Sequence, residues 1–173
     1  VDTLYAGLLA EPWFQANPPK LKKAISGGTT LRPSTAERWN ATVCRLLEGF
    51  GMTESTCIAT CHPSGGEHRV GWVGLPMPGC EVRIVDDAGV SVAAGVAGEI
   101  ALKGPNVISR YLNRPDEQGV SFRDGWFYTG DVAVMDETGF MQIVDRKKDL
   151  VIVSGFNVYP NEVEAVLAEH PGV

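Results

Sequence analysis

The 173 residues predict a mixed chain: α/β first, β-rich afterwards, and the opening of a small α+β unit at the end. Three observations predict it. Leu21–Ser26 reads as a short strand ending in Gly27-Gly28, and the Ser34/Glu37 capping pattern opens a helix after it, which is strand–turn–helix order. From Val70 onward, short alternating stretches are separated by frequent turn signals, the pattern of a small distorted barrel or sheet. Past Arg146, an apolar stretch and a second capping pattern begin another strand and helix.

Taken in order, residues 1–16 have Leu4, Leu8, Leu9 and Trp13 at helical spacing and predict one helix. The helix after Gly27-Gly28 is expected from about Thr35 to Leu47. Glu81–Val85 alternates as a strand and runs into the turn Asp86-Asp87-Ala88-Gly89. Gly98–Lys103 is a further strand, and Asp131–Met135 with Gly139–Val144 predict a hairpin around Asp136-Glu137-Thr138. Leu150–Val153 reads as a buried strand ending at Gly155, and Asn161 with Glu164 cap the start of a helix. The expected units are 1–69 (α/β), 70–145 (β-rich), a connecting segment at 146–150, and the start of a second domain at 151–173.

The balance of 15 Lys and Arg against 21 Asp and Glu is acidic. It argues against nucleic acid or anionic membrane as the main partner, since both select basic surfaces. No apolar run approaches the ~18 residues needed to cross a bilayer. The start, Val1-Asp2-Thr3-Leu4, has no Met and no leader-like core, and reads as a cut inside a longer chain. Cys57, Cys61 and His62 invite a metal reading, yet no second ligand pair follows at a suitable spacing, and core-filling thiols explain them as well. Reduced thiols without a leader point to the cytoplasm.

Gly49-Phe50-Gly51-Met52-Thr53-Glu54 carries the chemistry. It follows an apolar strand and is expected at a helix entrance. Glycines admit a ligand close to the backbone, and Thr53 with nearby N–H groups suits a phosphate. Glu54 suits Mg²⁺, which takes hard oxygen ligands. Read alone, ordinary helix capping is the better account of Thr-Glu.

This turn resembles the [YF]-G-[ML]-T-E signature of the adenylate-forming superfamily. Four more blocks match in the order that superfamily has. Ser26-Gly27-Gly28 resembles its adenine-pocket loop, and Gly98-Glu99-Ile100 through Gly104 with Tyr111-Leu112-Asn113-Arg114-Pro115 resembles the next block. Asp124–Asp131 is similar to the ribose-binding block. Asp145-Arg146-Lys147-Lys148-Asp149 with Ser154–Pro160 is similar to the hinge block. The resemblance covers essentially the whole chain, and its detail is nearest to long-chain fatty-acid CoA ligases.

The resemblance implies a fragment of the large adenylate-forming domain: the end of an α/β subdomain, a small distorted β-barrel, and the start of the small C-terminal domain. It implies ATP, Mg²⁺ and CoA as cofactors or co-substrates, with a fatty acid as the acyl substrate. Thr53 would contact phosphate and Glu54 the metal. Gly27, Gly28, Phe50 and Gly51 would flank adenine, where a base stacked on an aromatic gains roughly 1–3 kcal/mol. Asp131 would hold the ribose with Arg146, Lys148 would be the pivot, and Gly155 would lie by the entering pantetheine. Read alone, Asp131 is a turn residue, Arg146 a solvated charge, and Lys147-Lys148 a solubilising pair.

Two departures stand out. Phe50 replaces a tyrosine, keeping the stacking and losing a hydroxyl. Trp72 stands where a small polar residue is expected near the acyl pocket, and its indole would shorten that pocket. The superfamily's phosphate loop and catalytic lysine fall outside these residues, so the piece by itself is expected to be inert. Two other functions stay open: an acyl-AMP ligase that loads a carrier protein, and a non-catalytic binding module on the same scaffold. The expected location is cytoplasmic, with peripheral attachment to the inner membrane face through other segments. Chain length of the acyl group and oligomeric state are not legible.

Overall fold

A computed structural model describes residues 1–153, 156–167, 170 and 172. The chain opens with two helices, α1 (Asp2–Ala10) and α2 (Pro12–Ala16), where one was expected. Pro12 is the cause: it pushes the preceding Glu11 to extended backbone, φ −78° and ψ 122°. The break also changes the inward face. Tyr5, Leu9 and Phe14 pack on Trp39, whereas Leu4 and Trp13 are 57% and 63% exposed.

Strand β1 is Ala24–Ser26, shorter than expected. Helix α3 spans Pro33–Thr42, starting earlier and ending sooner than the expected 35–47. Pro33 occupies the first turn, where its fixed φ suits a helix, and no side chain caps the end, so the Ser34/Glu37 box does not form. Leu46 and Leu47, expected to finish that helix, belong to β2 (Leu46–Phe50) and are buried there. Asn40 helps the exit, its Oδ1 accepting Leu46 N–H at 2.7 Å. Burial of two leucines in a sheet outweighs the weak helix propensity of so short a stretch.

β2 pairs parallel with β1, Ser26 opposite Glu48. Its far side takes β3 (Thr60–Cys61) and then β4 (Leu75–Pro76), both antiparallel, completing the order β1-β2-β3-β4. This sheet crosses the expected 69/70 boundary, because β4 lies beyond it.

The second sheet is a curled half-barrel. It contains β5 (Glu81–Val85), β6 (Gly98–Lys103), β7 (Phe122–Arg123), β8 (Trp126–Met135) and β9 (Met141–Arg146), all antiparallel, with α4 (Pro115–Ser121) before β7. The expected strands and both turns are present. Asp86 Oδ1 accepts the N–H groups of Ala88 and Val90, and Asp136 Oδ1 accepts those of Thr138 and Phe140, which closes each turn by its leading aspartate. β8 is long because it serves several partners: β6 along its length, β7 at its start and β9 at its end, with bulges opposite each long neighbour. A bridge between Gly74 and Met141 ties the two sheets together.

Beyond Asp149, β10 (Val151–Val153) and β11 (Phe156–Val158) form a two-stranded ribbon followed by α5 (Pro160–Leu167). β10 was expected to be buried. It is exposed, Ile152 by 71%, and among the described residues β11 is its one strand partner.

Candidate active site

A cleft of about 950 Å³ opens between the two sheets. One wall is the β1 loop and the end of β2, contributing Ser26, Gly28 and Glu48 to Met52. The other is the Thr129–Asp131 stretch of β8 with Asp145 to Asp149 at the end of β9. Gly28 has φ +83°, a left-handed conformation that only glycine adopts without strain. Gly51 is required sterically, since a Cβ there would lie 2.1 Å from the Cys57 carbonyl oxygen. Phe50 lines the cleft and rests partly against the half-barrel core.

Asp131 and Arg146 face each other across β8 and β9 as register partners, with Arg146 Nε 3.6 Å from Asp131 Oδ1. The Asp131 side chain is only 17% exposed. Burial raises its carboxyl above the usual aspartate range; Arg146 opposes that shift, Glu99 adds to it, and Lys148 opposes it. A half-buried carboxylate short of protein donors suits a ligand that brings hydroxyl groups.

Lys147 is tied down. Its Nζ lies 2.7 Å from Asp87 and 3.0 Å from Glu99, and its N–H donates to Gly130 O at 2.8 Å. Glu99 also accepts Gly130 N–H, so one carboxylate holds both β8 and the hinge approach. Asp87 first, then Glu99, keep the Lys147 ammonium charged to higher pH than usual. Lys148 follows in an exposed turn closed by Asp149 N–H to Arg146 O at 3.0 Å.

The structure therefore gathers Gly28, Phe50, Gly51, Asp131, Arg146 and Lys148 around one cleft. Gly27 stands behind the wall, where a Cβ would meet Gly49 O at 3.0 Å. Thr53 and Glu54 lie outside the lining. They sit on a single 3₁₀ turn, Thr53–Ser55, and not at a helix entrance; Thr56 and Cys57 end it with φ 52° and 83°. The expected helix entrance is therefore absent, and what the turn offers a phosphate is the Thr53 hydroxyl and its own N–H groups, without a helix macrodipole. Gly155 lies outside the described residues. Trp72 is also away from the lining, although Gly71 and Val73 belong to it; its indole lies 5.4 Å from the Arg69 guanidinium.

His62 is buried and packed on His68, its Nε2 accepting Arg69 N–H at 3.2 Å and its Nδ1–H donating to Glu48 O at 3.1 Å. Both nitrogens are thus occupied by backbone groups. Cys57 is exposed and Cys80 buried, so core filling describes only the latter. Among the described residues, no three His, Cys, Asp or Glu side chains converge on a common point. Nor is any described helix long and apolar enough to cross a membrane.

Sequence reasoning missed Glu48, Asp145 and Asn161. Asp145, 4% exposed, accepts Arg146 N–H at 2.8 Å and Asn161 N–H at 3.2 Å, which docks the start of α5 on β9. Glu48, 5% exposed, accepts Gly71 N–H at 2.9 Å. A lone acid after two leucines in a strand was the available signal for Glu48. Burial raises its carboxyl from 4.5 to about 7, against the Gly71 N–H that pulls it down.

That shift has a measurable consequence. Between pH 4.5 and about 7 the unfolded chain has lost this proton while the folded chain keeps it. Stability therefore falls as pH rises through that window and levels off above it, a loss of about 3 kcal/mol at roughly 1.4 kcal/mol per unit. Thermal unfolding of Glu48→Gln across the same window should lack the decline. Parallel slopes in both proteins would show that Glu48 titrates normally.

A family profile described as "AMP-binding enzyme" matches residues 1–112. The chain belongs to the AMP-binding enzyme family. Asp131 and Arg146, on β8 and β9, lie past that match, whereas β5 and β6 of the same sheet lie within it. A long-chain-fatty-acid–CoA ligase of Salmonella typhimurium is 46% identical to this AMP-binding chain, over 100% of the chain and 31% of the relative. The chain thus spans about a third of the length of such relatives. Among solved structures, ATP-bound MatB from Rhodopseudomonas palustris superposes with TM-score 0.92 at 38% identity, over 98% of this chain and 34% of that one. O-succinylbenzoate coenzyme A synthetase (MenE) from Bacillus subtilis, with ATP and magnesium ion, gives 0.88 at 35% identity, over 99% and 36%.

Proposed function

We propose that this chain is part of an ATP-dependent fatty acid–CoA ligase, and that its cleft holds the adenylate. The observation that carries the reading is the convergence on one cleft of Gly28, Phe50, Asp131 and Arg146, which come from separate stretches of sequence. The 46% identity, over all of this chain and 31% of the relative, to a fatty-acid–CoA ligase supports the acyl class.

In this reading a fatty carboxylate oxygen attacks the α-phosphorus of ATP, and pyrophosphate leaves. The CoA thiol then attacks the acyl carbon of the mixed anhydride; its proton is lost and AMP departs. The residues here position and exclude rather than react. Phe50 and the Gly27-Gly28 backbone flank the base. Asp131 accepts from the ribose hydroxyls while Arg146 keeps Asp131 charged and donates to the sugar or a phosphate. Thr53 binds phosphate, and Lys148 gives the chain its freedom to turn before the CoA step.

A cation delivered on nucleotide phosphates needs few protein ligands, and the Glu54 carboxylate, outside the cleft lining, would be its protein oxygen; the described residues form no three-residue cage. Mg²⁺, when bound there, neutralises charge on the phosphates. A cytoplasmic location, with peripheral attachment at the inner membrane face, belongs to the same proposal; the four unpaired cysteines support the first part.

The test is to supply the full-length protein with ATP, Mg²⁺ and a fatty acid, then add CoA. Pyrophosphate release followed by acyl-CoA is the expected result. Acyl-AMP that never passes to CoA would favour a carrier-loading ligase. Nucleotide binding without pyrophosphate release would favour a binding module.

A further inference from the structure

The Thr53–Ser55 turn is closed by its own bonds to Met52 and is braced from outside as well. It is one 3₁₀ turn followed by two non-glycine residues at positive φ, a strained arrangement that persists only where surroundings over-determine it. Those surroundings are a strap from the half-barrel, residues 106–111. Asn106 Nδ2 donates to Ser55 O at 3.1 Å and to Ile58 O at 3.0 Å, and its own carbonyl accepts the Thr56 hydroxyl at 2.7 Å. Ile108 N–H donates to Glu54 O at 2.8 Å. Tyr111 completes the set, its hydroxyl donating to Glu54 Oε1 at 2.9 Å.

Glu54 is therefore gripped at its peptide oxygen and at one carboxylate oxygen by the same strap. Its other carboxylate oxygen accepts no hydrogen bond from the described residues. The Tyr111 ring is itself fixed, edge-on to Phe122 at 5.9 Å and packed against the half-barrel core. We propose that Tyr111 is a positioning residue that turns the Glu54 carboxylate so that its free oxygen is presented to a divalent cation on the nucleotide. The inference rests on the reading of Glu54 as a metal ligand.

The experiment uses Mn²⁺ as the probe, followed by electron paramagnetic resonance in the full-length protein with a non-hydrolysable ATP analogue. AMP binding, measured without metal, is the companion readout. Tyr111→Phe keeps the ring and its packing, so folding is preserved. It is expected to weaken Mn²⁺–nucleotide binding about tenfold, the scale of one hydrogen bond to a charged group, and to leave AMP affinity unchanged. In a Glu54→Gln background the same substitution should cost nothing more, because the residue it acts through is already altered. Normal Mn²⁺ binding in Tyr111→Phe beside a defect in Glu54→Gln overturns the positioning role alone. Normal binding in Glu54→Gln overturns the metal-ligand reading and the inference with it. Equal losses of AMP and Mn²⁺–nucleotide binding would mark a general structural role and also overturn it.

Discussion

Replacing Asp131 with alanine in the full-length protein is expected to weaken ATP and AMP binding by roughly 2–4 kcal/mol, the cost of charge-assisted bonds lost and donors left unpaired. The side chain is mostly buried, and Arg146 at 3.6 Å is its one ion-pair partner among the described residues. Ligand hydroxyls would replace the water that burial removes, so their loss is felt in full. Because burial raises the Asp131 carboxyl, nucleotide affinity should also decline on acidification sooner than for an exposed aspartate, and Asp131→Ala should abolish that dependence. Exposed Glu137, on the adjoining turn, is the control: its alanine variant should bind normally. Calorimetric titration with AMP decides the matter, and an unchanged affinity would remove Asp131 from the ribose.

Proline at position 148 should separate the two half-reactions. The Lys148 N–H donates to no described acceptor, so the substitution deletes no hydrogen bond seen here. It fixes φ near −65° and restricts the residue before it. That residue, Lys147, is already held by Asp87, Glu99 and Gly130, so the hinge loses its remaining freedom. Acyl-AMP formation in a single turnover should survive, while thioester formation falls ~100-fold, the scale of a catalytic arrangement that cannot be reached. Lys148→Ala should be mild in both steps, since the backbone matters more than the charge. Rapid-quench measurement of each step settles it. Equal losses would move the pivot to Lys147 or Asp149.

The residues of the cleft were legible through the matched blocks and not through residue type alone. Read alone, Asp131 is a turn residue and Arg146 a solvated charge, and it was the resemblance that put them with Gly28 and Phe50, which the structure gathers on one cleft. Turns such as Asp86–Gly89 were legible locally, because the leading aspartate closes its own loop. The unread parts depend on distant partners. Leu46 and Leu47 read as helix until β1 and β3 supply a sheet for β2 to join. The 150–153 stretch reads as buried because its residues are apolar, whereas exposure depends on what packs over them. Tyr111 was visible only as part of a matched block, since its work depends on a glutamate 57 positions earlier. Glu48 and Asp145 are buried acids, and no local pattern announces what surrounds them.

The pairing of β8 with β9 has a consequence for the order of events. Asp131 and Arg146 both precede Lys148, and Lys147 anchors the strand end to Glu99 and Asp87. In the proposed ligase these residues make the stator, and the chain beyond Lys148 the rotor. A nucleotide gripped by the β8–β9 pair stays with the stator while the rotor turns. In that ligase the activated intermediate would not have to be released and recaptured between the first chemical step and the second, and its protection from water would depend on the part that does not move.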